Sequence, residues 1–289
     1  MSYKYLIGDL NLLSEIRIPF LKTNNFIKPD VEVILKTAIN PPKNKFDVLD
    51  DGRVLFKDKH ANIFLIESSK IFISLNGNNV KEAANSLVGL PLGFLLQNND
   101  FQVIHGSSVA SDKLAICFVG MSAIGKSSIA LSLVNHGLNL VTEDLCIIKN
   151  SHIYNFSNWI KSAPDSLLRR LEPLEEISVK NDSRNRIFYK LANKLVSGAI
   201  TPLKAVYFLN KSKKTEIKKI KKSDAFEYLF TYSYHKNEPD IKSFKKLTRI
   251  LEDSDFFLFS RDLNKPLSEN IKFLINHLNE KMPKLLDIG

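Results

Sequence analysis

Cysteine is scarce in this chain: Cys117 and Cys146 are the only two in 289 residues. That excludes a disulfide framework, and no pair of Cys or His has metal-site spacing. Both lie in apolar runs, Ala-Ile-Cys-Phe-Val and Leu-Cys-Ile-Ile, and read as small buried thiols. Long apolar segments are lacking too. The longest, Leu87 to Leu96, is too short to cross a bilayer and contains Pro91. The opening Met-Ser-Tyr-Lys-Tyr-Leu has no apolar signal core, so a cytoplasmic protein without a membrane span is expected. The net charge of +10 is mostly Lys spread along the chain, densest at 211–222 (KSKKTEIKKIKK). No helix-turn-helix, zinc finger or ribonucleoprotein motif accompanies that run. It reads as a solvated strand or turn face, which argues against a nucleic-acid partner.

What is present centres on Phe118 to Ser128, FVGMSAIGKSS, which satisfies G-x-x-x-x-G-K-[ST]. Leu114 to Val119 before it is an apolar run readable as a buried strand. The residues after it read as a helix stopped at Gly137, with His136 in the last turn. Strand, glycine loop and helix N-terminus are the parts of a phosphate cradle. Gly120 and Gly125 permit φ values that a side chain penalises. The backbone from Gly120 through Ser122, Ala123, Ile124 and Gly125 to Lys126, Ser127 and Ser128 then turns its N–H groups on a phosphate, aided by the helix dipole. Lys126 is expected to reach the β- and γ-phosphates of ATP, and Ser127 to ligate Mg²⁺.

Around that core the chain reads as α/β. Residues 1–78 are β-rich, with strands expected at Tyr3–Ile7, Leu12–Ile18, Val31–Leu35, Arg53–Phe56, Ala61–Ile66 and Lys70–Leu75, and turns at Asp51-Gly52 and Asn76-Gly77. Helical spacing of Val80, Ala83, Ala84, Leu87, Val88 and Leu95 predicts one buried helix over 79–97. Phe101 to Val119 reads as a hairpin turning at Ser111-Asp112. Pairing Ala110 with Lys113 puts His105 opposite Phe118, at the mouth of the phosphate site. The strand Leu138–Thr142 ends in Glu143-Asp144, and ligands of open α/β sheets bind at such carboxyl ends. Adjacent carboxylates there can hold Mg²⁺ and accept a hydroxyl proton. Further strands are expected at 146–149, 203–209 and 256–259, and helices at 224–232, 241–251 and 267–278. Residues 159–174 mix turn and helix signals. Ser183 to Arg186 and Lys190 are candidate phosphate or substrate contacts, although a basic surface is the preferred reading. Asn210-Lys211-Ser212-Lys213 lacks the aspartate of a guanine-reading N-K-x-D. No internal repeat is visible.

His105-Gly106, the loop Gly120–Ser127 and Val141-Thr142-Glu143-Asp144 together resemble the catalytic domain of HPr serine kinase and its relatives. The resemblance covers residues 100–150. Leu12 to Pro19 and Pro202 to Leu209 are similar to the HPr-kinase-like proteins of lasso-peptide clusters. It implies an HPr kinase/PEP carboxykinase-like P-loop core over 79–289 with a β-rich section over 1–78. It implies ATP and Mg²⁺ as cofactors and γ-phosphate transfer to a serine hydroxyl of a peptide, a protein or a small molecule. Glu143 would be the base, Ser127 and Asp144 the metal ligands, Lys126 the phosphate cation and His105 an orienting group. Relatives are often oligomeric, so a homo-oligomer is open to this chain. Two departures stand out: the family has Asp-Asp at 143–144 and Gly at 123. They motivate an alternative, a nucleotide-binding regulatory protein without phosphotransfer. An assembly ATPase is a third reading.

Overall fold

Apolar residues at alternate positions, such as Tyr5 and Ile7 or Val31 and Val33, bury one face of each early strand. The computed structural model describes residues 2–162, 175–176, 187–234 and 241–286. Its first eight strands are β1 Tyr3–Ile7, β2 Leu10–Ser14, β3 Lys22–Thr23, β4 Val31–Leu35, β5 Phe46–Val48, β6 Val54–Lys57, β7 Ile63–Ile66 and β8 Lys70–Ser74. They form one sheet in the order β3-β1-β2-β4-β8-β7-β6-β5. β2, β4 and β8 are parallel neighbours, and the other pairs are antiparallel. The two short strands β3 and β5 are absent from the sequence expectation, and β2 ends at Ser14 rather than Ile18.

The helix expected over 79–97 is two helices, α1 Val80–Leu87 and α2 Leu90–Asn98. Gly89 between them takes φ −101° and ψ −119°, and Pro91 stands in the first turn of α2. Proline offers no N–H and disfavours the α region in the residue before it, so a continuous hydrogen-bond ladder cannot pass.

A second sheet follows. β9 Gln102–Ala110 and β10 Ala115–Val119 form a hairpin, and α3 Lys126–Val134 comes next. β11 Asn139–Thr142, β12 Leu145–Lys149 and β13 His152–Tyr154 continue it. β14 Trp159–Ser162, β15 Glu175–Glu176 and β16 Ile187–Lys190 make a separate small sheet, ordered β14-β16-β15. β17 Ile200–Ser212 and β18 Glu216–Lys219 return to the main one, with α4 Lys222–Thr231, α5 Ile241–Asp253, β19 Asp255–Asp262, α6 Leu267–Lys281 and α7 Pro283–Leu286. The main order is β10-β9-β12-β13-β17-β19-β18, and β10 also pairs with β17. β17 is the parallel neighbour of both β10 and β19. Their carboxyl ends therefore share one edge.

Apolar clusters cover both faces of this sheet. α3 and α6 pack with Phe118, Tyr207 and Phe259, while α4 and α5 pack with Cys117, Val206 and Phe256. A third cluster joins the first sheet, α1 and α2 to Val103, Ile147, Trp159 and Phe188. No described helix is long and apolar enough to cross a membrane. The run 211–222 forms the end of β17, β18 and the start of α4, and its lysines are mostly exposed. Of the residues singled out as turn, helix or phosphate candidates, 163–174 and Ser183 to Arg186 lie outside the described residues. Lys190 is the exposed last residue of β16.

Candidate functional site

β10 is buried along its whole length, so the chain leaves the sheet edge abruptly at Gly120. The loop runs from Gly120 (φ 156°) to Gly125 (φ 98°), and Gly125 stands at the N-cap of α3. That helix start has no side-chain cap and no acidic residue in its first turn. Its first N–H groups are therefore open to an outside anion. At the far end, Leu138 N donates to Leu133 O at 3.1 Å and Gly137 N to Val134 O at 3.0 Å, the two bonds of a Schellman stop with Gly137 at φ 97°.

Lys126 is 6% exposed. Its Nζ donates to Gly120 O at 2.8 Å and Met121 O at 3.0 Å, folding the loop onto its own lysine. Burial pushes its pKa below the ordinary lysine value, and the carboxylates of Asp144 and Glu143 pull it back up. Ser127 Oγ donates to Glu143 Oε1 at 2.7 Å. Ser122 and Ala123 are exposed at the crest of the loop, and Ser128 is half-buried in the first helical turn. Ile124 packs against the α3–α6 core. Ala123 has φ 67°, a left-handed conformation in a non-glycine residue. Such a conformation costs roughly 1–2 kcal/mol.

The acidic pair directly follows the carboxyl end of β11, as expected, and sits in a gap of a ladder. β11 and β12 both pair with β9, Thr142 with Ser108 and Leu145 with His105. Glu143 and Asp144 fall between these registers. Asp144 takes φ 71°, and its carbonyl accepts from Gly106 N at 3.3 Å. Glu143 is 1% exposed, whereas the Asp144 side chain retains 29%. His105 Nδ1 lies 3.2 Å from Asp144 O and 3.8 Å from Asp144 Oδ1.

The hairpin register differs from expectation by two residues: Ala110 faces Ala115, and Gly106 faces Val119. Ser111 Oγ accepts from the amides of Lys113 (3.3 Å) and Leu114 (3.4 Å), and Ser111 N donates to Leu114 O. These bonds widen the turn to four residues. The slip leaves His105 just beyond the last β9–β10 pair, Gly106 with Val119, and there it pairs with Leu145 of β12. A Cβ on Gly106 would lie 2.8 Å from Phe118 O and 3.1–3.2 Å from the sulfurs of Cys117 and Cys146. Those thiols are free and buried, 3.2 Å apart. Burial pushes the Cys146 thiol well above its ordinary pKa, which makes it a poor nucleophile.

Lys126, Ser127, Glu143, Asp144 and His105 thus surround one loop. No protein-family model matches the chain, and no curated protein matches it. One solved structure similar to it is the HPr(Ser) kinase/phosphatase from Coxiella burnetii. That likeness covers 63% of this chain and 93% of the other, at 14% identity and a TM-score of 0.32. A likeness so loose assigns this chain neither an activity nor a ligand.

One residue of the site was not anticipated. Arg261, near the carboxyl end of β19, is 3% exposed, and its guanidinium donates to Ile124 O. A Cβ on Gly125 would come within 2.7 Å of Arg261 Nη2. Arg261 therefore braces the loop from the neighbouring parallel strands. The available signal was an arginine ending the apolar run Phe256 to Ser260, in register with β17 beside β10. Among the described residues no group of three or more His, Cys, Asp or Glu could hold a metal. The Ser127 hydroxyl and the Glu143 carboxylate do supply adjacent hard oxygen donors. Mg²⁺ takes few protein ligands of this kind alongside water and phosphate, so the residues present fit it.

Proposed function

We propose that the chain is an ATP-dependent kinase that passes the γ-phosphate to an alcohol hydroxyl. One observation carries this reading. An uncapped helix start opens on Lys126 and Ser127, with the Ser127 hydroxyl 2.7 Å from a buried carboxylate and an accessible second carboxylate alongside. Loop and helix amides grip the triphosphate. Lys126 has three donors, two of them on loop carbonyls, and turns the third to phosphate. Ser127 and Glu143 would hold Mg²⁺, which when bound neutralises charge on the phosphates.

The resemblance implied Glu143 as base and Asp144 as metal ligand. The contacts favour the exchange of those roles. Glu143 touches Ser127 and is closed to solvent, while Asp144 is accessible and lies against His105. On this reading Asp144 accepts the proton of the incoming hydroxyl. The new O–P bond forms as the bond between Pγ and the bridging oxygen breaks, and ADP leaves. His105 orients Asp144. Positioning and charge stabilisation do the rest.

The test uses γ-labelled ATP, Mg²⁺ and a panel of hydroxyl acceptors comprising free amino acids, serine peptides and proteins. Label is expected on one acceptor class. ATP bound with no label transferred would instead support a nucleotide-responsive binding protein. Label released as phosphate at the same rate with or without acceptor would support an ATPase.

A further inference from the structure

The first sheet ends in an open strand close to Asp144. β5 is the last strand of that sheet, and its Phe46 stands opposite Phe56 of β6. Lys57 N donates to Lys45 O at 3.0 Å and Leu49 N to Arg53 O at 2.8 Å, so the odd-numbered residues here bond across to β6. Bonding alternates along an antiparallel strand, so the N–H and C=O groups of Phe46 and Val48 point to the open edge. The Phe46 ring, stacked on Phe94 at 5.4 Å, ties that edge to α2. Just past the Phe46–Phe56 pair stand four exposed lysines: Lys45 opposite Lys57, then Lys43 and Lys59 two residues further along each chain. The acids among them are turned elsewhere. Asp47 accepts from Lys43 N, Asn44 N and Asn44 Nδ2 at 2.6–3.3 Å. Asp58 accepts from the amides of His60 and Asn62, from Asn62 Nδ2 and from Ser86 Oγ at 2.8–3.0 Å. Lys45, Phe56 and Lys59 line a cavity of about 270 Å³ that Asp144 and Glu82 also line.

Resting on the phosphotransfer reading, we infer that the open edge of β5 and these four lysines dock an extended, acidic stretch of the acceptor polypeptide, whose serine or threonine reaches Asp144 through the cavity. An extended segment can add itself to an exposed strand edge, where backbone bonds give affinity and side chains give specificity. Charge sets the occupant. The lysines stand at the cavity end of the edge, while the turn at its other end carries Asp50 and Asp51. Lysines that only keep a sheet edge from pairing lie along the strand itself. Within β5 the one charged residue is Asp47. The carboxylates of Glu82 and Asp144 line the cavity, so the residue that enters it is uncharged and its acidic neighbours stay outside, on the lysines. A nucleic acid or an anionic lipid would meet the lysines but has no row of amides to match the open strand. The first sheet thereby acquires a role, selecting the acceptor and leading it to the phosphate site.

The test titrates short fluorescent peptides against the full chain without nucleotide and follows their anisotropy. One peptide has a single serine flanked by Glu and Asp. A second carries Gln and Asn in their place, and a third is the acidic peptide N-methylated at its flanking backbone nitrogens. A single-stranded oligonucleotide is the polyanion control. The acidic peptide should bind at least tenfold more tightly than the other two and than the oligonucleotide. The double variant Lys45→Glu, Lys59→Glu should weaken it at least tenfold and bind a Lys-flanked serine peptide instead, with MgATP affinity and Tm unchanged. Equal binding of the neutral peptide, the N-methylated peptide or the oligonucleotide, or unmoved affinity in the double variant, would each overturn the inference. Label transferred to another acceptor while the acidic peptide fails to bind sinks the docking surface alone. Acidic peptide bound at these lysines, with no label transferred to any acceptor, sinks the kinase reading instead.

Discussion

Asp144→Asn should lower phosphoryl transfer by about 10²–10⁴-fold, the usual contribution of a positioned general base, with MgATP affinity unchanged. The asparagine is nearly isosteric, so the φ 71° turn and the contact with His105 persist while the proton acceptor is lost. Glu143→Gln should behave differently. It keeps the hydrogen bond from Ser127 but removes the charge beside it, so the Mg²⁺ concentration needed for half-maximal rate should rise. Initial rates across a Mg²⁺ series distinguish the two. If Glu143→Gln loses transfer at saturating Mg²⁺ while Asp144→Asn shifts the Mg²⁺ requirement, the role assignment is reversed.

Arg261→Ala should cost about 100-fold in kcat/KM, the scale of a displacement near 1 Å at a reacting centre, carried mainly by a higher KM for ATP. Arg261 touches no expected reacting atom. It holds the carbonyl of Ile124 and fills the space beside Gly125, so it is a positioning residue. Arg261→Lys should recover part of the loss, since a lysine can donate to Ile124 O but lacks the planar fork. Gly125→Ala should reproduce the defect from the other side, because its Cβ meets Arg261 Nη2 at 2.7 Å. If Arg261 only stabilised the fold, Arg261→Ala would lower Tm and the active fraction and leave the KM for ATP where it was.

The glycine loop and the elements flanking it were legible in the sequence because their information is local. A buried strand, two glycines and a helix ending at Gly137 lie within twenty-odd consecutive residues, and each follows from backbone sterics. His105 was legible only to the nearest turn. Its register depended on whether Ser111 would accept hydrogen bonds from Lys113 and Leu114. The break at Gly89–Pro91 was masked by apolar spacing that suits one helix or two. Arg261 and the separate surroundings of Glu143 and Asp144 were not legible. They arise where β19, β9 and the β11–β12 connection meet the loop, from residues 16 to 137 positions apart. Hydrophobic periodicity carries no record of such contacts.

The most direct test of the central claim is MgATP binding to wild type and Lys126→Ala, followed by amide chemical shifts with a non-hydrolysable ATP analogue. Wild type should bind, with the largest shifts at Met121 to Ser128, and Lys126→Ala should bind at least tenfold more weakly. Unchanged affinity in Lys126→Ala, or shifts centred away from that loop, would contradict the account.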